Sequence, residues 1–489
     1  MKNKETNGAT YFKFLELENV RCFGKKQRLD LTGEKGELAQ WTLILGDNGV
    51  GKTTLLQCLV WMRPVLILDK GSKSSDPLAP LSKGVLGSAL PEEENDILER
   101  LRKINGGTEI VMTAEVCQEF GLIFDSVPNG KNIRTKIKVI FDEKGLLENF
   151  EQTPTDIEKK LEKEFFEPFV VAYGANRQMG FQNVANSDLE DPLAKRLSDV
   201  TELYDAEERL TKLDYAAANK KYKRINSAGG RNDKKAINKQ STEEHLLEIF
   251  KQAIADVLPQ EVKRDDVIEI EAPKLEDGQL KESRVKLRLD DVPVPLSDLS
   301  LGYQTTLAWV LDLSWRLFNR YPKSPKPLEQ PAVVIIDEID LHLHPLWQWR
   351  IMRMLASVFK RTQFIATAHS PLMVQSMPNA NFAVVQKVDG EFKIENKPEK
   401  VKGWRVDQIL NSEYFGIPFS RDPDTEELFK ERAELLLKFR RSPVEEERLR
   451  EIERQIQELP TGRIPEENEA EDLLRQATQL LKEGTTKDK

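Results

Sequence analysis

The eight residues Gly46-Asp47-Asn48-Gly49-Val50-Gly51-Lys52-Thr53 satisfy the pattern GxxxxGK[ST] at every fixed position. No other segment restricts the fold as strongly, because the pattern works only between a strand and a helix. Trp41 to Leu45 supply a short apolar run ending at Gly46, and Thr54 to Trp61 read as the helix. The glycines let successive backbone N–H groups curl around phosphate oxygens while the positive end of the helix faces the same anion. Asn48, Gly49, Gly51, Lys52, Thr53 and Thr54 are therefore the expected ATP contacts. Lys52 supplies a point charge, and the Thr53 hydroxyl is placed on Mg²⁺.

A second segment carries the chemistry that a phosphate loop requires. Pro331 precedes the β-branched run Ala332-Val333-Val334-Ile335-Ile336, which ends in Asp337-Glu338. Such a run is typical of a strand buried on both faces, and it is expected beside the phosphate loop. Asp337 then holds Mg²⁺ through water, while Glu338, aimed differently, polarises the attacking water. A helix with apolar spacing follows (Trp347, Ile351, Met354, Leu355, Val358), then a strand-like run from Gln363 to Ala368, capped by His369-Ser370-Pro371. A histidine at that strand end reaches the γ-phosphate or the attacking water.

Composition bounds the setting. A chain of 489 residues corresponds to about three domains or one large elaborated one. Charged residues at 32% against 39% apolar fit a globular protein with charged helical surfaces. The net charge of -9 has the wrong sign for a protein that coats nucleic acid, so any such contact comes from a local patch. Cys22, Cys58 and Cys117 lack metal spacing and read as inert thiols, and four histidines are too few for a His-rich metallonuclease centre. No run reaches the roughly 18 apolar residues of a membrane helix, and Met1 to Thr10 lack the apolar region of a secretory signal. The expectation is a cytoplasmic protein with no membrane partner.

These motifs resemble those of the ABC-type ATPases, specifically the SMC, RecF and OLD-like AAA branch. In that class two heads sandwich ATP between one head's phosphate loop and the other's signature helix. Ser297-Asp298-Leu299-Ser300-Leu301-Gly302-Tyr303-Gln304 is similar to the signature, with Leu301 where transporters usually have Gly. The resemblance implies that Ser300 and the Gly302 backbone touch the γ-phosphate across the dimer, at the start of a helix from about Gln304 to Phe318. It implies that Arg21, in the opening segment Phe14 to Phe23, contacts nucleotide. It places Gln178, or Arg177 instead, on the metal side in the run Phe169 to Gln178. It makes His369 the switch histidine and Asp340 to Pro345 the D-loop, with His344 where Asp usually stands. Among defence proteins the chain looks most like the PtuA ATPases of Septu and its retron-linked relatives and the AriA ATPases of PARIS. OLD and Gabija ATPases carry a TOPRIM nuclease after the head; here about 120 residues follow His369 and lack its acid-rich β/α pattern.

The fold class expected is α/β, a P-loop NTPase of the ABC/SMC-head type with an antiparallel subsheet. Lobe I covers 1–184, a helical insertion 185–262, lobe II 263–403 and a C-terminal helical docking unit 404–489. Residues 71–107 read as a surface excursion, and Glu109 to Val116 and Ile133 to Phe141 as strands. In the insertion one helix is expected over Thr201 to Ile225, and another from Ser241, capped through Glu244. From Ala216 to Gln240 the basic residues Lys220, Lys221, Lys223, Arg224, Arg231, Lys234, Lys235 and Lys239 face only Asp233. That patch grips a nucleic-acid backbone or an acidic partner, or is a solvated tip. Helices over Glu426 to Phe439 and Glu445 to Leu459 form a hairpin, with a third over Glu469 to Leu481. Leu428, Leu435, Leu436, Leu449 and Ile456 are expected to face the head or a partner.

The function this organisation favours is an ATP-hydrolysing head that dimerises around ATP and controls a separately encoded HNH or TOPRIM effector nuclease in anti-phage defence. The alternatives are a slow ATP-loaded scaffold that sequesters an effector and a RecF-like repair ATPase.

Overall fold

The computed structural model describes residues 8–67, 85–88, 101, 109–119, 124, 127, 130–142, 147–155, 166–175, 177–179, 201–203, 206–227, 241–257, 268–271, 274–276, 279–281, 284–289, 292–396, 400–417, 422–438, 440–457 and 459. In chain order the elements that matter here begin with β1 (Ala9–Glu18), β2 (Gln27–Asp30), β3 (Trp41–Leu45) and α1 (Lys52–Trp61). Then come β4 (Glu109–Glu119), β5 (Lys131–Phe141), β6 (Leu147–Thr155), β7 (Val170–Tyr173), β8 (Arg177–Met179) and β9 (Thr201–Leu203). Two helices follow, α2 (Ala206–Ser227) and α3 (Thr242–Val257), and after them α4 (Leu301–Arg320) and β10 (Ala332–Ile336). The head continues through α5 (Pro345–Gln348), α6 (Ile351–Val358), β11 (Thr362–Thr367), β12 (Asn381–Val388), β13 (Glu391–Asn396) and α7 (Val406–Leu410). The last described helices are α8 (Pro423–Leu437) and α9 (Pro443–Gln457).

Two sheets carry the head. The first runs β2-β1-β4-β5-β6 and is antiparallel throughout. The second runs β13-β12-β3-β11-β10-β7, parallel except for its edge strand β13. Its central strands β3, β11 and β10 are buried end to end because both faces are covered. In β3, Trp41, Leu43 and Leu45 enter one core while Ile44 enters the other. In β10, Val334 and Ile336 share the first core, Val333 and Ile335 the second. The second core fills the space between the two sheets, where Tyr11, Leu15 and Leu17 of β1 pack with Ile110 and Met112 of β4. Gln363 of β11 stitches that space. It accepts from the Phe12 N–H at 2.9 Å and donates to the Phe12 carbonyl at 2.8 Å, where β1 bulges between Phe12 and Phe14. A buried amide thereby replaces the ladder bonds that a bulge forfeits.

The other face of the parallel sheet is covered by α4 together with α2 and α3. Leu210 and Leu213 of α2 and Leu246, Leu247, Phe250 and Ile254 of α3 join the same core as Leu307, Val310 and Leu313 of α4. The described helices of the segment read as an insertion thus furnish core for the parallel sheet. Residues 201–203 are not the start of the first helix but β9, a strand parallel to β8. The expected cap of α3 is present: Ser241 N–H donates to Glu244 Oε2 at 2.7 Å, and Glu244 N–H to Ser241 Oγ at 3.2 Å. Most of the excursion at 71–107 and the helix expected over 469–481 lie outside the described residues.

Contacts divide the chain at Gly416. Residues 404–416 lie with the head, whose core takes in Ile409 and Tyr414, so the C-terminal unit begins later than position 404. That second unit contains the α8/α9 hairpin. Its Leu435, Leu449 and Ile452 bury one another with Leu428 and Ile456 alongside, so these side chains satisfy the hairpin itself. Leu436 alone of the expected set is exposed, at 46%. Glu431 accepts from both Nε and Nη2 of Arg448 across the helices, and Ser442 and Glu445 cap α9 reciprocally. Among the described residues no helix is long and apolar enough to cross a membrane.

Candidate nucleotide site

β3 delivers the chain to the phosphate loop at the C-terminal edge of the parallel sheet, where open α/β sheets place their ligands. Gly51 has φ +99°, and a side chain there would strike Cys22 Sγ at 2.5 Å, so the residue before the lysine has to be glycine. The turn after β1 supplies that floor. Burial pushes the Cys22 thiol up and Cys58, beneath it in α1, to about 12, which keeps both protonated and unreactive. In the same turn Arg21 has φ +47° and donates through Nη1 to Thr54 Oγ1 at 3.2 Å. Its guanidinium is therefore seated at the first turn of α1.

Lys52 is 7% exposed and its ammonium donates to the carbonyls of Gly46 and Asp47, both at 2.8 Å. Desolvation lowers its pKa, opposed by the carboxylates of Asp337, Glu338, Asp47 and Asp340. Asn48 and Gly49 stand exposed at the loop's crest.

Asp337 is the hub. Thr53 Oγ1 donates to its Oδ2 at 2.7 Å and Thr367 Oγ1 to its Oδ1 at 2.6 Å. The end of β10 stands beside the phosphate loop as expected, and in the sheet β11 lies between β10 and β3. That intervening strand is what brings Thr367 into the site. The same Thr367 oxygen accepts from the Glu338 N–H at 2.7 Å, so one hydroxyl fixes both acids. A threonine hydroxyl beside a carboxylate oxygen is an oxygen set suited to Mg²⁺, which keeps waters and takes its other ligands from phosphate. The residues present therefore fit the metal. Thr367 is absent from the site residues that the motifs single out, although a hydroxyl near the end of the apolar run Phe364-Ile365-Ala366 is a legible signal. Thr367→Val keeps the shape and removes the bridge. It is expected to cost about 1–3 kcal/mol in denaturant unfolding and to slow ATP turnover, measured on the same preparation.

Glu338 has φ +47° and is half-buried, and its backbone carbonyl accepts from Arg177 Nη2 at 2.9 Å. Arg177 is buried, donating also to the carbonyls of Asp337 and Gly174. Of the two residues offered for the metal side, Arg177 thus reaches the backbone of the acid pair; the Gln178 side chain lies outside the described residues. His369 follows β11, and its backbone N–H donates to Asp340 Oδ2 at 2.9 Å. Gln348 links the neighbouring turns: it donates to the Leu343 carbonyl at 3.0 Å and its Oε1 accepts from Ser370 Oγ at 2.6 Å. The turn at Asp340–Pro345 and the turn after β11 are therefore one hydrogen-bonded unit.

Ser300 and Gly302 are placed by different contacts. Ser300 is the exposed N-cap of α4, its hydroxyl making no cap bond. Gly302 is buried, and a side chain there would meet the His342 carbonyl at 2.3 Å. Its missing side chain lets the start of α4 approach the His342 backbone. Neither belongs to the hydrogen-bonded cluster of Thr53, Asp337, Glu338 and Thr367.

The basic stretch is only partly open. Lys220 pairs with Glu243 at 2.5 Å, and Arg224 Nη2 reaches both oxygens of Glu244, at 2.6 and 2.5 Å. Lys221 is exposed, while Arg231, Lys234, Lys235 and Lys239 lie outside the described residues.

Residues 138–374 match the family described as "AAA domain, putative AbiEii toxin, Type IV TA system". The Septu protein PtuA of Bacillus mycoides (strain KBAB4) is 37% identical over 164 residues, 33% of this chain and 22% of that protein. The Retron Vc95 probable ATPase of Vibrio cholerae serotype O1 biovar El Tor is 24% identical over 408 residues, 78% of this chain and 75% of that protein. An SMC head domain with an extended coiled coil, derived from Pyrococcus furiosus and bound to the C-terminal domain of ScpA, aligns with 79% of this chain and 96% of its own. The identity there is 15% and the TM-score 0.40.

Proposed function

We propose that the chain is an ABC-type P-loop ATPase, similar to Septu and retron ATPases, and that it binds MgATP and hydrolyses it. The observation that carries this reading is the bond network Thr53–Asp337–Thr367–Glu338, which joins the phosphate loop to the acid pair through one carboxylate. In it Lys52 and the loop amides hold phosphate, Thr53 and Asp337 hold Mg²⁺, Glu338 takes the proton of the attacking water, and His369 stands at the γ-phosphate.

Two such heads close around ATP, with Ser300 at the exposed N-terminus of α4 facing the partner's nucleotide. What supports closure is that Leu301, beside it, is 50% exposed on a helix otherwise deep in the core. The cycle governs an effector nuclease encoded separately, in cytoplasmic anti-phage defence. The support is the similarity to the Septu and retron proteins. The first test is ATP hydrolysis by purified protein with and without double-stranded DNA. A Mg²⁺-dependent rate supports the reading, and no turnover under any condition removes it.

DNA contact is a second, narrower reading, carried by exposed Lys221 and its basic neighbours in sequence. Lys220 and Arg224 already neutralise acids on α3, so reversing them tests folding as much as binding. Lys221→Glu with Lys234→Glu and Lys235→Glu is expected to weaken DNA binding and to flatten its salt dependence by about one unit of slope for each phosphate no longer neutralised. Unchanged binding at low salt leaves the stretch as plain surface.

A further inference from the structure

We propose that Arg177 is a positioning residue for hydrolysis, a buried clamp that fixes the backbone of Glu338; this rests on the reading of Glu338 as the base. Arg177 is 3% exposed at the start of β8. Its guanidinium donates to three backbone carbonyls: Nη1 to Gly174 at 3.0 Å and Asp337 at 2.6 Å, and Nη2 to Glu338 at 2.9 Å. Its Nε–H is buried without a partner among the described residues. Burying a guanidinium is costly unless its donors are used. Desolvation lowers its pKa to about 10, countered by the field of Asp337, Asp340 and Glu338, so it is charged at neutral pH.

What such a group grips, it holds in place. Glu338 has φ +47°, a left-handed conformation that costs an L-residue about 1–2 kcal/mol and persists only where the surroundings over-determine it. Three contacts do so here. Thr367 Oγ1 holds the Glu338 N–H, while Arg177 Nη2 and the Leu341 N–H, at 3.0 Å, both hold its carbonyl. With both flanking peptide groups fixed, the direction in which the carboxylate leaves the backbone is fixed too. Because Arg177 also binds the Gly174 carbonyl, the turn between β7 and β8 and the acid pair at the end of β10 move together.

Arg177→Lys and Arg177→Gln test this. Neither replacement can span three carbonyls with a planar fork. The expected result is a fall of at least ~10-fold in kcat, because small misplacements of a reacting group cost that much or more. MgATP affinity should stay within ~3-fold of wild type, and the melting temperature close to it. An unchanged kcat in both variants overturns the proposal. So does loss of ATP affinity and melting temperature in parallel with kcat, or failure of both variants to fold, since Arg177 would then be a buttress of the fold. Glu338→Gln run alongside separates the two readings. Wild-type turnover by Glu338→Gln removes the base and with it the purpose of the clamp. An inactive Glu338→Gln beside a fully active Arg177→Lys removes the clamp alone.

Discussion

Lys52→Ala is expected to abolish ATP binding, raising Kd by at least ~100-fold, which corresponds to about 2.7 kcal/mol. The ammonium is buried and already desolvated, and its two donations at 2.8 Å close the phosphate loop on its own carbonyls. Around it stand Asp337, Glu338, Asp47 and Asp340, whose carboxylates all raise its pKa against the desolvation that lowers it. Take the cation away and a polyphosphate must enter a site whose nearest fixed charges are negative. Charge-assisted hydrogen bonds contribute about 1.5–3 kcal/mol each, so losing them together with the compensating charge accounts for the expected magnitude. The measurement is equilibrium binding of MgATP by calorimetry. A second readout is the rise in melting temperature that a ligand gives by binding only the folded state, present in wild type and absent in the variant. Affinity close to wild type would remove Lys52 from phosphate binding.

How much of this site is legible in the sequence follows from how local each feature is. The phosphate loop is eight consecutive residues, and its strand, β3, falls where the apolar run from Trp41 to Leu45 puts it. The acid pair is legible for the same reason, as the end of a β-branched run. What sequence does not reveal is strand order. That β11 stands between β3 and β10 is what brings Thr367 to the acid pair, and no local pattern encodes that order. Arg177 is hidden differently. Its partners are carbonyls, which every residue has, so no pairing of residue types signals the contact. The segment from 185 to 262 reads as a helical insertion with an apolar stripe on its second helix, but what that stripe meets, the core shared with the parallel sheet, is set by tertiary packing. The apolar stripes of α8 and α9 are legible as stripes, but which partner each meets is decided by the turn at Ser442-Pro443, which folds them onto one another.

Glu338→Gln is expected to lower ATP hydrolysis by about 10²- to 10⁴-fold, the usual contribution of a positioned general base, while leaving nucleotide affinity within a few-fold. The structure makes this substitution unusually selective. The three bonds that hold residue 338 are made by its backbone, to Thr367, Arg177 and Leu341, and survive the change. Among the described residues no hydrogen bond to the Glu338 carboxylate is found, so an amide of the same shape strands no partner. Lys52, Thr53 and Asp337 keep their contacts, so phosphate and Mg²⁺ binding persist. What disappears is the basicity of one oxygen. If two heads close on ATP, a variant that binds but cannot turn over accumulates closed, and its mass in solution doubles when ATP is added and falls back with ADP. Light scattering after gel filtration reads this directly. An unchanged hydrolysis rate would take the base assignment away from Glu338. Slow turnover with no change of mass would keep the base and reject closure, which confines ATP to a single head and moves the search for a trigger to the exposed end of α4.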